Sequence, residues 1–211
     1  MHKRLLIKVA GIVQGVGFRP YIFRLANRFN LSGFVNNSAD GVLIEVEGSE
    51  NNLNRFIEIL KVQPPPLAQI TRIDLTAIQK KEDKDFRIVQ SVASRQKNTL
   101  ISPDISTCED CRDELFNPRD RRYLYPFINC TNCGPRYTII SDIPYDRPNT
   151  SMLDFRMCEK CQEEYDNPSN RRFHAQPNAC PDCGPKLTFI GDDKSYTTDD
   201  VIGKLQVALN S

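Results

Sequence analysis

The residues best suited to chemistry are eight cysteines arranged as four Cys-x-x-Cys pairs: Cys108/Cys111, Cys130/Cys133, Cys158/Cys161 and Cys180/Cys183. Within each half the pairs stand 18 residues apart and the halves 24, so every cysteine recurs 50 residues later. The same offset aligns Asn117-Pro118 with Asn167-Pro168, Arg121-Arg122-Tyr123 with Arg171-Arg172-Phe173, and Cys133-Gly134-Pro135 with Cys183-Gly184-Pro185. This is an internal repeat of a metal-sized module. Two thiolates from one Cys-x-x-Cys turn can bind a single ion, and a second turn from a distant part of the chain completes a tetrahedral four-sulfur site. Metal closing such loops supplies folding energy that short polar segments cannot draw from a core. Two structural zinc ions are therefore expected. Pairing within each repeat is the simplest arrangement, but repeats can also exchange pairs, and four thiolates also suit an iron–sulfur cluster. Disulfides are not expected, because Met1-His2-Lys3-Arg4 leads straight into a strand-like run with no secretory signal, which points to a cytoplasmic protein.

A second candidate site lies near the start of the chain. The run from Val13 to Pro20 holds Gln14, Gly15, Val16, Gly17, Phe18 and Arg19 between a strand-like and a helix-like segment. Glycines at 15 and 17 would let successive backbone N–H groups point into one concavity, and a helix N-terminus behind them adds positive potential. Arg19 then offers a planar fork to phosphate oxygens. As a bare pattern, the same residues also describe a tight turn carrying a solvated arginine.

The elements that must position these groups can be read from periodicity. Residues 4–10 read as an aliphatic strand ended by Gly11. Ile22, Leu25, Ala26 and Phe29 share one face of a helix. Residues 31–38 and 42–47 read as a hairpin around Asp40-Gly41, with Val42, Ile44 and Val46 on one face. Leu53, Phe56, Ile57 and Leu60 mark a second helix, which Pro64-Pro65-Pro66 ends. Strands near 70–78 and 86–90 complete a βαββαβ order with a short final strand. The expected class is therefore α+β, a ferredoxin-like sandwich followed by two small four-cysteine zinc modules. The polar stretch 91–103 marks a boundary. The expected division is a first domain at 1–91, a linker at 92–103, and modules at 104–140 and 154–190. Residues 191–211 are expected to begin a further domain. In that last stretch Thr198 to Asn210 reads as a helix with an unpartnered apolar side, so the chain is expected to be the N-terminal part of a longer protein.

The glycine loop Gly11-Ile12-Val13-Gln14-Gly15-Val16-Gly17-Phe18-Arg19, together with Gly33-Phe34-Val35-Asn36-Asn37-Ser38-Ala39-Asp40-Gly41, resembles the two signature segments of the acylphosphatases. The resemblance implies that Arg19 binds the phosphate of an acyl phosphate and that Asn37 positions the attacking water. Both roles are chemically sensible. Loop N–H groups and Arg19 would offset phosphate charge as the acyl phosphate is cleaved, and an amide can orient water but is no strong base. An asparagine here could also simply make a local turn hydrogen bond.

With the cysteine pattern added, the whole chain resembles the start of the HypF carbamoyltransferases of nickel–iron hydrogenase maturation. Ile101-Ser102-Pro103-Asp104 before the first pair and Arg172-Phe173-His174-Ala175-Gln176-Pro177 in the second repeat reinforce the match. That resemblance implies carbamoyl phosphate as substrate and processing toward the cyanide ligands of the hydrogenase. It also implies ATP and magnesium in further domains only, and a HypE-type maturation partner reached through the full-length protein. A non-catalytic zinc-dependent interaction scaffold is the alternative.

Charge and hydropathy narrow the classes further. The formal net charge is +1 over 211 residues, but residues 1–91 carry 13 Lys/Arg and 9 Asp/Glu, whereas 104–190 carry 11 and 14. The cysteine region is thus slightly acidic, which argues against nucleic acid as a partner. No apolar run reaches membrane-spanning length, so no membrane partner is expected. His174 is the one histidine besides His2; it is expected to be structural rather than a metal ligand, and the arginine pairs 121/122 and 171/172 are expected on a solvated face.

Overall fold

The computed structural model of the chain describes residues 2–91, 100, 103–134, 136–191, 194–197 and 200–210, with 191 and 194–197 in backbone only. Most of the expected linker, Pro135 of the first module and Thr198 at the expected start of the last helix lie outside the described residues.

Strand β1 (His2–Ile12) is an interior strand of its sheet and runs antiparallel to both β3 (Gly41–Ser49) and β4 (Gln69–Ile78). Strand β2 (Ser32–Ser38) pairs antiparallel with β3, and the short β5 (Phe86–Ile88) adds to β2 in parallel, giving the order β4-β1-β3-β2-β5. Alternation explains the buried face: Ile7 and Val9 of β1 and Val42, Ile44 and Val46 of β3 are each at most 1% exposed. Helices α1 (Phe18–Arg28) and α2 (Glu50–Val62) cover that face with Ile22, Leu25 and Ala26 and with Leu53, Phe56 and Leu60. Ser49 caps α2 by accepting from Asn52 N at 3.2 Å. On the opposite face of the sheet Arg4 is buried against Glu45, Glu47 and Asp83. Burial opposes its charge, but three carboxylates outweigh that and raise its pKa.

The cysteine region is built differently, with little apolar core and much irregular backbone. Each first Cys-x-x-Cys pair opens a short helix, α3 (Glu109–Phe116) after Cys108 and α4 (Glu159–Asp166) after Cys158. Two further strands, β6 (Thr188–Gly191) and β7 (Lys194–Thr197), form a separate ribbon, followed by α5 (Val201–Asn210).

The arginine pairs are not on a solvated face. Arg122 is 2% exposed and Arg172 is 3% exposed. Arg121 and Arg122 reach Glu164 of the second repeat at 2.7 and 2.5 Å, while Arg171 and Arg172 reach Glu114 of the first. Arg122 also donates to Ala179 O at 2.8 Å, and Arg172 to Asn129 O at 3.0 Å. Since 121, 122 and 114 plus 50 give 171, 172 and 164, the two repeats clasp each other reciprocally. The clasp flanks a small apolar cluster in which Ala179 of the second repeat joins Tyr125 and Ile128 of the first.

Candidate active site and metal centres

The glycine loop follows β1 and opens α1. Gly15 and Gly17 both have φ of 73°, the left-handed region that glycine enters without strain, and Gly17 is the N-cap of α1. A Cβ on Gly17 would lie 3.3 Å from Thr131 Cβ, so the loop is pressed against the first cysteine module. The side chains of Val16 and Phe18 are buried in the core, which leaves only their backbone to face a ligand. The amide of Gln14 is spent on structure. Its Nε2 donates to Ser38 O and Gly41 O at 2.7 and 2.8 Å, and its Oε1 accepts from Tyr145 N at 2.8 Å.

Arg19 from α1 and Asn37 from β2 converge on a small cavity of about 20 Å³, which Gly15, Gly17, Tyr145 and His174 also line. Arg19 is 8% exposed and Asn37 1%. Asn36, one position earlier, turns its amide toward Gln90 O at 3.5 Å and does not line this cavity. Asn37 Nδ2 donates to the Tyr145 carbonyl at 3.0 Å. A carbonyl accepts only from the nitrogen end of the amide, so this bond fixes which end points where. Among the described residues the buried Asn37 Oδ1 has no partner, and neither has Asn36 Oδ1. Such an atom is costly unless something donates to it, and a water O–H is the simplest donor.

The segment after the first module completes the site, and the sequence reading missed it. Asp146 makes an ion pair with Arg19 Nη1 at 2.6 Å, Arg19 Nη2 points at Tyr145 O at 3.4 Å, and the Ser91 hydroxyl donates to Asp146 Oδ2. A signal was present: the two repeats remain alike through Thr138-Ile139-Ile140 and Thr188-Phe189-Ile190 and then diverge, so residues 141–153 answer to something other than the repeat. His174 carries the same kind of signal, since Leu124 stands at its place in the first copy. Both have left-handed φ, 54° and 53°. The His174 ring packs on Tyr165 and Phe173 with centroids 4.9 and 4.6 Å away, and Phe173 in turn meets Phe23 of α1 at 5.5 Å. Burial and then the charge of Arg19 push His174 down to about 4, so the ring is neutral at pH 7. A wider cleft of about 430 Å³ opens on the other side of Arg19, bounded by Ser91, Asp146, Tyr165 and His174.

The cysteines gather within repeats. Sulfurs of Cys108, Cys111, Cys130 and Cys133 lie within 4.8 Å of one another, as do those of Cys158, Cys161, Cys180 and Cys183. His174 joins neither group. Separations of 3.6 Å for Cys108–Cys130, 3.8 Å for Cys130–Cys133 and 3.7 Å for Cys180–Cys183 are far too long for disulfides. With Cys108–Cys133 at 3.2 Å, the sulfurs sit at or somewhat inside the roughly 3.8 Å edge of a tetrahedron with metal–sulfur bonds of about 2.3 Å. That space admits one ion and not a cluster of several atoms. Arg171 donates to Cys111 Sγ at 2.8 Å and Arg121 to Cys161 Sγ at 3.2 Å, so each group receives a cation from the other repeat. Such donors offset the negative charge of a four-thiolate site.

Comparison with known proteins agrees with this architecture. The acylphosphatase family profile matches residues 5–88, and the HypF finger profile matches 107–140 and 157–190. The chain is 50% identical over 150 residues to the carbamoyltransferase HypF of Rhizobium leguminosarum bv. viciae, covering 71% of this chain and 19% of that one. It is 43% identical over 88 residues to the acylphosphatase of Thermotoga petrophila, covering 41% of this chain and 96% of that one. The crystal structure of full-length HypF in the phosphate- and nucleotide-bound form is 48% identical, with a TM-score of 0.87 over 100% of this chain and 27% of that one. The chain spans about a fifth of the length of the curated HypF relatives it matches. Through its first domain it belongs to the acylphosphatase family, and with its two HypF fingers it corresponds to the N-terminal part of a HypF-type carbamoyltransferase.

Proposed function

We propose that the first domain binds carbamoyl phosphate in the Gln14–Arg19 loop and hydrolyses it, as the first step of carbamoyl transfer. The observation that carries this reading is the convergence of Arg19, the glycine loop and Asn37 on one cavity, which Asn37 lines and the equally unpartnered Asn36 does not. Arg19 and the loop N–H groups from Gly15 to Arg19 hold the phosphate oxygens and offset the charge that develops there. Asn37 Oδ1 accepts from a water and aims its oxygen at phosphorus. That oxygen bonds to phosphorus while the bond from phosphorus to the carbamoyl oxygen breaks, and the electron pair leaves with carbamate. Both water protons stay on the phosphate product. No side chain needs to act as a strong base, which suits a site holding an amide and a neutral imidazole.

The two four-cysteine centres fit zinc, which would supply structural cross-links and no step of the reaction. Their role is to hold residues 141–153 and His174 against the first domain. Within a longer HypF-type protein, ATP with magnesium and delivery to a HypE-type partner for cyanide synthesis belong to other domains. The experiment is a division of roles: Arg19→Ala should abolish affinity for inorganic phosphate, whereas Asn37→Ala should keep phosphate affinity within about threefold and lose turnover by about a hundredfold. Equal loss of binding in both variants would contradict the assignment.

A further inference from the structure

The hydrolytic reading gives tasks to Arg19 and Asn37 but none to the chain between the two cysteine modules, which nonetheless closes the site. Asp146 meets Arg19 at 2.6 Å with one carboxylate oxygen and accepts from the Ser91 hydroxyl with the other. The carbonyl of Tyr145 takes the Asn37 amide at 3.0 Å.

This stretch is anchored from both sides. Toward the first domain, Tyr145 N donates to Gln14 Oε1 at 2.8 Å. Toward the second module, Arg147 donates to the carbonyls of Gln176, Asn178 and Phe155 at 2.6, 3.0 and 2.6 Å. Within the stretch, Asn149 Nδ2 donates to Pro144 O at 2.7 Å. So many fixed partners make a wall and not a swinging lid.

We infer that Asp146 is a positioning residue for Arg19, so that the acylphosphatase-type site is assembled across two parts of the chain. The inference rests on the reading of Arg19 as the phosphate ligand. A guanidinium on a flexible stem has many orientations; a carboxylate on one edge fixes its plane and leaves other N–H groups for phosphate oxygens. The Tyr145 carbonyl does the same for Asn37 by holding its nitrogen end. The opposite role is an anion that occupies Arg19 until substrate displaces it, and the two roles predict opposite signs.

The test measures carbamoyl phosphate hydrolysis and inhibition by inorganic phosphate in the 211-residue chain, for wild type, Arg19→Ala, Asp146→Ala and Asp146→Asn. Positioning predicts that Asp146→Ala lowers kcat/KM by about tenfold to a hundredfold and weakens phosphate inhibition. Asp146→Asn should recover most of that loss, because its Oδ1 still accepts from Arg19 while its Nδ2 donates to the Ser91 hydroxyl. Tighter phosphate inhibition with a raised kcat/KM in both variants would overturn the inference in favour of a displaceable anion. Wild-type kinetics in both Asp146 variants, with Arg19→Ala inactive, would overturn it and leave the hydrolytic reading standing. No turnover in the wild type, or an Arg19→Ala variant equal to it, would remove both.

Discussion

At the scale of residues, the site depends on groups whose neighbours come from far along the chain. Arg19 and Asn37 are 18 positions apart, yet Tyr145 and Asp146, which hold them, lie more than 100 positions later. The pair was legible because the glycine loop and the hairpin entry carry local signatures. Its partners were not, because nothing around Tyr145 marks it as facing β2. His174 was legible only as an isolated histidine, and its surroundings give it a measurable property. Burial, and secondarily Arg19, lower it to about 4 from an ordinary 6.5. The unfolded chain therefore takes up the proton first as pH falls. The stability held by the neutral ring is complete above about pH 6.5 and is lost as pH falls from there toward about 4. His174→Asn keeps a residue that tolerates the left-handed backbone. Between pH 6.5 and 5 the wild type should lose stability more steeply than this variant, by up to about 1.4 kcal/mol per pH unit. Parallel denaturant midpoints across that range would contradict the assignment.

At the scale of elements, the first domain followed its periodicity closely. Val42, Ile44 and Val46 face the core as the alternation requires, and Ile22, Leu25 and Ala26 form the buried stripe of α1. The cysteine modules were legible in their sulfur spacing but not in their helices or their seam. α3 and α4 are only eight residues each and present little apolar face, with Cys111 and Cys161 as their buried residues. The arginine pairs looked solvated because the carboxylate each one meets lies in the other repeat, a relation that no local pattern carries. Glu164 is central to that seam, and although burial works against its ionised form, Arg122 and its neighbours hold its carboxyl below the usual range. Glu164→Gln would leave Arg122 buried without its counter-charge, at a cost of about 3 kcal/mol. The wild type should carry two zinc ions per chain by elemental analysis, and the variant should release zinc to a chelator faster. One ion or iron in the wild type would contradict the metal assignment, and unchanged release from the variant would contradict the role of the seam.

At the scale of the whole molecule, the two finger-like modules and the sandwich work as one structure. Gly17 abuts Thr131, Phe23 meets Phe173, and the segment between the modules closes the loop that would hold phosphate. Metal ions held at the two four-cysteine centres would therefore bear on the first domain's site only indirectly, by fixing the surface that carries Tyr145, Asp146 and His174. Among the described residues no helix is long and apolar enough to cross a membrane. The central claim is that Arg19, on this shared surface, works on an acyl phosphate. Its most direct test is phosphate release from carbamoyl phosphate by the wild-type chain beside Arg19→Ala. The account predicts release that disappears in the variant, by a factor of about a hundred or more. Equal release from both, or none from the wild type, would contradict it.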